Sequence, residues 1–188
     1  MGVILFSACG GLSVLQPTPI PTLIAPAVIN ELERAKSVVV RDTQEGEIYR
    51  KFSCSLQRTP TQFEGNTNLS IFISGEGNKN IRESIMVSLD TMSSVLEKLK
   101  QAPLENGEYK PELCIDGMHR LYVDIELEHS HIQYHSDFCS VDKIMWEVVG
   151  GGERYVTHSS EPLDALSILC PYLLPEYVEY SIFCSIKP

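Results

Sequence analysis

The stretch from residue 119 to residue 148 alternates apolar and polar residues through three successive segments. The apolar residues of the first segment are Leu121, Val123, Ile125 and Leu127. Alternation with a period of two is typical of β-strands that have one buried face and one wet face. Because only short turns separate the segments, neighbouring strands should pair antiparallel. The pattern therefore predicts a meander of strands with a polar face open to solvent.

A different spacing occupies residues 80–100, where apolar residues step by three or four positions. These residues are Ile81, Ile85, Leu89, Met92, Leu96 and Leu99. The stripe predicts one long α-helix over residues 80–100, with Asn80 and Glu83 as a capping box at its start. A second, short helix is predicted near residues 162–170, because Pro162 suits a first helical turn.

The remaining segments complete the predicted order of elements. Residues 58–68 are rich in Thr, Pro, Gly and Asn and predict a loop, whereas residues 109–115 and 177–186 predict strands. Strands and helices that are segregated in this way indicate an α+β fold. We expect a curved antiparallel sheet with the long helix packed on one face, formed by a single domain over residues 28–188.

The first nine residues read Met-Gly-Val-Ile-Leu-Phe-Ser-Ala-Cys, an uncharged apolar run that ends in two small residues and a cysteine. This run resembles the end of a bacterial lipoprotein signal, in which small residues precede a cysteine that receives a diacylglycerol. The resemblance implies that Cys9 is lipidated. It also implies that the chain is exported to the cell envelope and anchored in a membrane, facing the periplasm or the cell exterior.

Residues 10–27 contain four prolines that forbid a regular helix. A segment of this kind favours an extended, polyproline-like spacer. Directly after a lipidated cysteine, such a spacer would hold a domain away from the membrane surface. We therefore interpret residues 10–27 as a tether.

Six cysteines are present, and none belongs to a C-x-x-C pair of the kind that binds zinc. They are therefore candidates for disulfide bonds, although small buried thiols in a reduced protein are the alternative. Cys114 and Cys139 lie on predicted strands that flank residues 119–128, and Cys170 and Cys184 bracket the last predicted loop. These positions favour the two pairs and leave Cys54 as a buried thiol. A bond between Cys54 and Cys184 stays open.

The charge balance bears on the class of partner. With 15 Lys and Arg against 25 Asp and Glu, the formal net charge is −10. Such a charge repels nucleic acid and suits a protein partner with a basic surface. The same charge also keeps a small protein soluble.

The polar face of the segment that begins at residue 119 supplies the candidate binding surface. Its residues are Arg120, Tyr122, Asp124, Glu126 and Glu128. Mixed charges on an exposed strand face give steering and specificity in association. No acid, base and nucleophile converge in the sequence, and no G-x-S-x-G elbow is present. We expect a non-catalytic domain that binds or inhibits a protein partner, without a cofactor.

Two alternatives remain open at this point. Two imidazoles and a carboxylate can hold zinc, and a hairpin could bring His129, His131 and His135 together as a metal site or a metal-dependent active site. A hydrated polar face beside a turn explains the same residues. A structural role in an envelope assembly is the other alternative, with residues 12–26 as the contact segment.

Overall fold

The computed structural model describes residues 23–24, 27–75, 77–111, 114 and 117–185. The predicted lipidation site Cys9 lies outside these residues, as does most of the predicted tether. The described part of the chain is a mixed α+β structure, and ten strands form one sheet within it. Every strand pair in the sheet is antiparallel, as the short turns of the sequence predict.

The strands are β1 (Leu23–Ile24), β2 (Ser37–Gln44), β3 (Ile48–Arg58), β4 (Gln62–Ile73), β5 (Gly77–Ser88), β6 (Leu104–Glu105), β7 (His119–Glu126), β8 (His131–Phe138), β9 (Trp146–Gly150) and β10 (Glu153–Thr157). Their order across the sheet is β1-β6-β10-β9-β8-β7-β2-β3-β4-β5. Two meanders, β2 to β5 and β7 to β10, therefore meet where β2 pairs with β7. The predicted meander after residue 119 is confirmed.

The helices are α1 (Leu89–Gln101), α2 (Glu161–Ser167), α3 (Pro175–Val178) and α4 (Ile182–Ser185), with 3-10 helices at Ala27–Arg34, Val141–Lys143 and Cys170–Tyr172. One face of the sheet and the helices share a single hydrophobic core. Helix α1 contributes four buried side chains, and the hydroxyl of Tyr134 donates to the carbonyl of Leu99 at 3.1 Å. The predicted short helix near residues 162–170 is confirmed as α2.

The prediction of a helix over residues 80–88 is wrong, because these residues form most of β5. A spacing of four places two residues on the same face of a helix and of a strand, so Ile81 and Ile85 fit both patterns. Pairing with β4 over twelve successive residues decides for the strand. The helix begins at Leu89 instead, where Ser88 Oγ accepts the backbone N–H of Thr91 at 3.1 Å.

The prediction of a loop over residues 58–68 is also wrong for the part from Gln62 onward, which belongs to β4. In the sequence, Gly65 indicates a turn. In the structure it lies within β4, where the absence of a side chain lets the backbone of β3 approach closely. A side-chain Cβ at Gly65 would lie 1.7 Å from the carbonyl oxygen of Ser55. A glycine inside a strand often marks such an approach.

The predicted final strand over residues 177–186 is wrong as far as the structure describes it. Pro175 occupies the first turn of α3, where its fixed φ favours a helix, and α4 follows. The disulfide between Cys170 and Cys184 holds this end of the chain against α2. The described part of the predicted strand over residues 109–115 contains no strand either, because residues 109–111 and 114 are irregular.

Candidate functional site

The helices lie on one face of the sheet, and polar side chains occupy the opposite face of β7 and β8. We call this surface the polar face. It consists of the outward residues of β7 and β8 and of their neighbours on β2 and β9, namely Arg120, Tyr122, Asp124, Glu126, His131, Gln133, His135, Asp137, Arg41 and Glu147. Four of the five residues predicted for partner binding therefore lie together on one strand face.

Tyr122 lies at the centre of the polar face. Cross-strand pairing places it directly between Arg41 on β2 and His135 on β8. Its ring stacks on the imidazole of His135, with 4.3 Å between ring centroids and an interplanar angle of 9°. Burial, and after it the negative charge of Asp137, raise the pKa of Tyr122 above its usual value. The phenol is therefore neutral and available as a hydrogen-bond donor.

His135 is held from several sides. Its Nε2 lies 3.0 Å from Asp137 Oδ1, and its Nδ1 lies 3.9 Å from Glu147 Oε2. The ring of Tyr109 approaches it with 5.3 Å between centroids. Only 16% of the His135 side chain is exposed, and its imidazole packs beside Tyr122 on the same face of the sheet. The arrangement fixes the position of both rings.

Between β6 and β7 the structure describes residues 106–111, 114, 117 and 118, and Tyr109 among them packs at one end of the polar face. We call these described residues the crossover segment. The backbone N–H of Asp137 donates to the hydroxyl of Tyr109 at 2.6 Å, and burial raises the pKa of Tyr109 to about 12. Cys114 is joined to Cys139, and the backbone N–H of Glu45 donates to the carbonyl of Met118. The crossover segment is therefore fixed at its middle and at its end.

Most acids of the polar face already have basic partners. Asp124 forms an ion pair with Arg41 and accepts a hydrogen bond from Gln133 Nε2 at 2.6 Å. Arg154 binds Glu147 at 2.9 Å, and Arg120 lies 3.8 Å from Asp137. These pairs balance the charge around Tyr122.

Glu126 is the remaining acid of the polar face, and it lies, with Glu128 just beyond the strand, at the opposite end from the crossover segment. Glu126 is exposed at the end of β7 and accepts a hydrogen bond from Ser37 Oγ at 3.0 Å. Glu128 lies beyond the strand, in the turn before β8, and its carboxylate is 4.0 Å from Lys36 Nζ. Because both partners in that pair are largely exposed, the attraction between them is weak. The excess of negative charge at this site is therefore concentrated near Glu126 and Glu128.

The three histidines of the alternative metal site do not converge. His129 lies in the turn, His131 faces Asp124 at 3.5 Å, and His135 lies four residues further along the strand. Four residues of strand correspond to about 13 Å. Across the described residues, no group of three or more His, Cys, Asp or Glu side chains is arranged to hold a metal ion.

A second group of polar residues lies on the buried face, beneath the C-terminal helices. The hydroxyl of Tyr177 donates to Asp42 Oδ2 at 2.8 Å, and the ring of Tyr177 stacks on Phe52 with 3.6 Å between centroids. Burial raises the pKa of Asp42 to about 6, although the hydrogen bond from Tyr177 opposes this shift. Asp42 Oδ1 and the neighbouring Arg50 Nε have no hydrogen-bond partner among the described residues. The sequence predictions missed this group entirely.

The disulfides are those that the sequence favours. Cys114 is bonded to Cys139 and Cys170 to Cys184, while Cys54 is a buried free thiol. Burial raises the pKa of Cys54 to about 12, so the reactive thiolate is scarce at neutral pH. Because Cys184 is bonded to Cys170, the open alternative of a bond between Cys54 and Cys184 is wrong.

Several residues of the polar face were not predicted from the sequence. Asp137 and Glu147 carry a local signal, since each occupies a polar position in an alternating segment. Arg41 carries none, because only the distant pairing of β2 with β7 brings it beside Tyr122.

No protein-family model matches the chain, and neither a curated protein nor a solved structure does.

Proposed function

We propose that this chain is a non-catalytic protein-binding domain whose partner docks on the polar face around Tyr122. The observation that carries the proposal is an aromatic side chain flanked by two arginines on a rigid strand face. Tyr and Arg dominate the energetically important positions of protein interfaces. Tyr122 is half-buried, and Arg41 and Arg120 lie beside it. Stacking on His135 fixes the ring before a partner arrives, which lowers the entropy cost of binding.

The proposed partner has a basic surface. The chain carries a net charge of −10, which attracts cationic proteins over distances of about one Debye length. At the site itself, the exposed acids Glu126 and Glu128 extend this attraction to one end of the polar face. A partner with lysines or arginines at its rim and an apolar or planar group at its centre fits this pattern. Charge then sets the association rate, whereas Tyr122 sets the lifetime of the complex.

The chemistry of the described residues favours binding over catalysis. The free thiol of Cys54 is on the buried side of the sheet, and its raised pKa makes it a poor nucleophile. The contacts of His135 are ring stacking and carboxylates, which suit a positioning role.

We also propose export and lipid attachment at Cys9, with residues 10–27 as the tether. Two disulfide bonds are compatible with an exported protein, because such bonds persist in oxidising compartments. No helix in the described part of the chain could span a membrane. Labelling with palmitate tests the proposal: the intact chain should incorporate label, and Cys9→Ala should not. Absence of label in both would refute lipid attachment.

The binding proposal is tested by variants of matched size on the same side of the sheet. Tyr122→Ala removes the proposed central contact, whereas Phe72→Ala removes another exposed aromatic side chain, 51% accessible, two strands beyond β2. A photo-crosslinking residue beside the site, at His131, would first identify the partner in native cells. Tyr122→Ala should then weaken the purified complex by at least about tenfold, a typical loss for a central interface tyrosine.

The salt dependence of association tests the role of charge. The association rate of the wild-type complex should fall steeply as salt rises, and Glu126→Gln with Glu128→Gln should lower the rate at low salt. Loss of binding in Phe72→Ala with none in Tyr122→Ala would refute the proposed site. An association rate that does not depend on salt would refute a basic partner.

A further inference from the structure

Strand β5 forms one edge of the sheet, and its free side is long. It pairs with β4 through twelve successive residues, without a bulge, and no other strand of the described residues pairs with it. Natural sheets usually guard an exposed edge with charged side chains, prolines, bulges or short strands, and of these β5 has only charged residues of both signs, Lys79, Arg82 and Glu83. The opposite edge strand, β1, has only two residues. Strand β5 contains no proline, so its outward N–H and C=O groups can bind another strand.

The accessible part of this edge is the N-terminal two thirds of β5. Ile85 and Val87 are buried in the core beneath α1, whereas residues 77–84 are exposed except for the half-buried Ile81. Helix α1 and the 3-10 helix at Cys170–Tyr172 lie near the other end of the strand. A second strand therefore has room beside residues 77–84.

The side chains of β5 suit a second copy of the same strand. An antiparallel pair of identical strands has a twofold axis normal to the sheet, so each residue faces one of the same parity. When the axis passes midway between the two Ile81 residues, Lys79 of each copy faces Glu83 of the other. This alignment gives two ion pairs. Asn80 then faces Arg82. Opposite charges directly across a strand pair stabilise it.

The neighbouring alignments are less favourable. An axis through Arg82 places the two Arg82 side chains face to face, and an axis through Glu83 does the same for the two carboxylates. An axis through Asn80 forms no pair of opposite charges. Like charges directly opposite each other destabilise a strand pair. The distribution of charge along β5 therefore selects the alignment that is centred on Ile81.

We propose that two copies of this chain pair edge to edge through β5, with Ile81 on the twofold axis and Lys79 of each copy opposite Glu83 of the other. The sheet becomes continuous across both copies. Because the axis is normal to the sheet, both polar faces point to the same side of the dimer. A partner with two binding sites would then engage both copies at once, with an avidity gain over a single site.

Sedimentation of the full chain over a series of concentrations tests the dimer. The wild type should pass from monomer to dimer within the micromolar range. Lys79→Glu and Glu83→Lys should each weaken the dimer by about tenfold or more, since each replaces two attractive pairs by two repulsive pairs. The double variant with both changes should restore the dimer to within about threefold of the wild type. The control Lys51→Glu makes the same charge change on β3 and should leave the dimer unchanged.

A crosslink tests the alignment independently. Ile81→Cys should form a disulfide between two copies on mild oxidation, whereas Glu83→Cys should form far less. Circular dichroism of each variant confirms that the chain is folded. The proposal is overturned by a wild type that stays monomeric at high micromolar concentration, or by a dimer that neither charge reversal weakens.

Discussion

The buried carboxyl of Asp42 should make the protein less stable as the pH rises. Its ordinary pKa of 3.8 is raised to about 6 in the folded protein because burial disfavours the charged form. Between these two values the folded state binds a proton that the unfolded state has released, so stability falls as pH rises through this window. Above about pH 6 the full cost is present. A difference of about two pKa units corresponds to about 3 kcal/mol of unfolding free energy.

Asp42→Asn removes this cost and keeps an oxygen that can accept the hydrogen bond from Tyr177. At pH 8 the variant should be more stable than the wild type by up to about 3 kcal/mol. At pH 4 the two proteins should be nearly equal, because the wild-type carboxyl is then protonated. The difference between the proteins isolates Asp42, since all other titrating groups contribute equally to both.

Urea denaturation at a series of pH values provides the measurement. The single tryptophan of the chain, Trp146, is fully buried and reports unfolding by its fluorescence. The free energy gained by the variant should rise between about pH 4 and pH 6 and then level off. A gain that is the same at every pH, or a variant that is less stable at pH 8, would refute the assignment of a buried, proton-binding carboxyl.

Three further predictions concern stability and reactivity. Ser88→Ala should destabilise the protein by about 1 kcal/mol in urea denaturation because α1 loses its N-terminal cap, whereas Asn80→Ala should have no comparable effect; the reverse result would favour a helix that begins at Asn80. Replacement of Cys114 and Cys139 by Ser opens a 25-residue loop and should cost about 3.5 kcal/mol in the chain-entropy model, with faster proteolysis of the crossover segment. Cys54 should react with a thiol reagent only at the rate of unfolding, and rapid labelling of the native protein would contradict its burial.

The sequence predicts the elements of this fold best where the periodic pattern has a single meaning. The alternation of Leu121, Val123 and Ile125 fits only a strand, and β7 and the strands after it were found correctly. The pairs Cys114–Cys139 and Cys170–Cys184 were predicted correctly from their positions along the chain, although the strands assigned to residues 109–115 and 177–186 were wrong. Residues 80–88 were misassigned because the spacing from Ile81 to Ile85 is shared by helices and strands. For these residues, pairing with β4 determines that a strand forms, and the local sequence does not show which segment will be the partner.

In the candidate site, too, the sequence predicts which residues of one strand share a face, but not which residues from distant parts of the chain contact them. Alternation alone places Tyr122, Asp124 and Glu126 on one face. It cannot show that Arg41 neutralises Asp124, because the two residues are 83 positions apart. The group around Asp42 was missed for the same reason, since Tyr177 reaches it from 135 positions away. Asp42 also begins the polar run over residues 42–46, whose composition predicts a turn and gives no sign that the carboxyl is buried.

The junction of β2 and β7 also determines how the chain reaches its native state. Each meander can form from hairpins between strands that are adjacent in the sequence. The pairing of β2 with β7, in contrast, joins residues such as Ser37 and Glu126, which are 89 positions apart. Distant ladders of this kind give a high contact order and folding times in the range of about milliseconds to seconds. Until that ladder closes, two inner strands are open edges, and in crowded solution each could recruit the wrong chain. Fast, dilute refolding should therefore yield more native protein than refolding at high concentration.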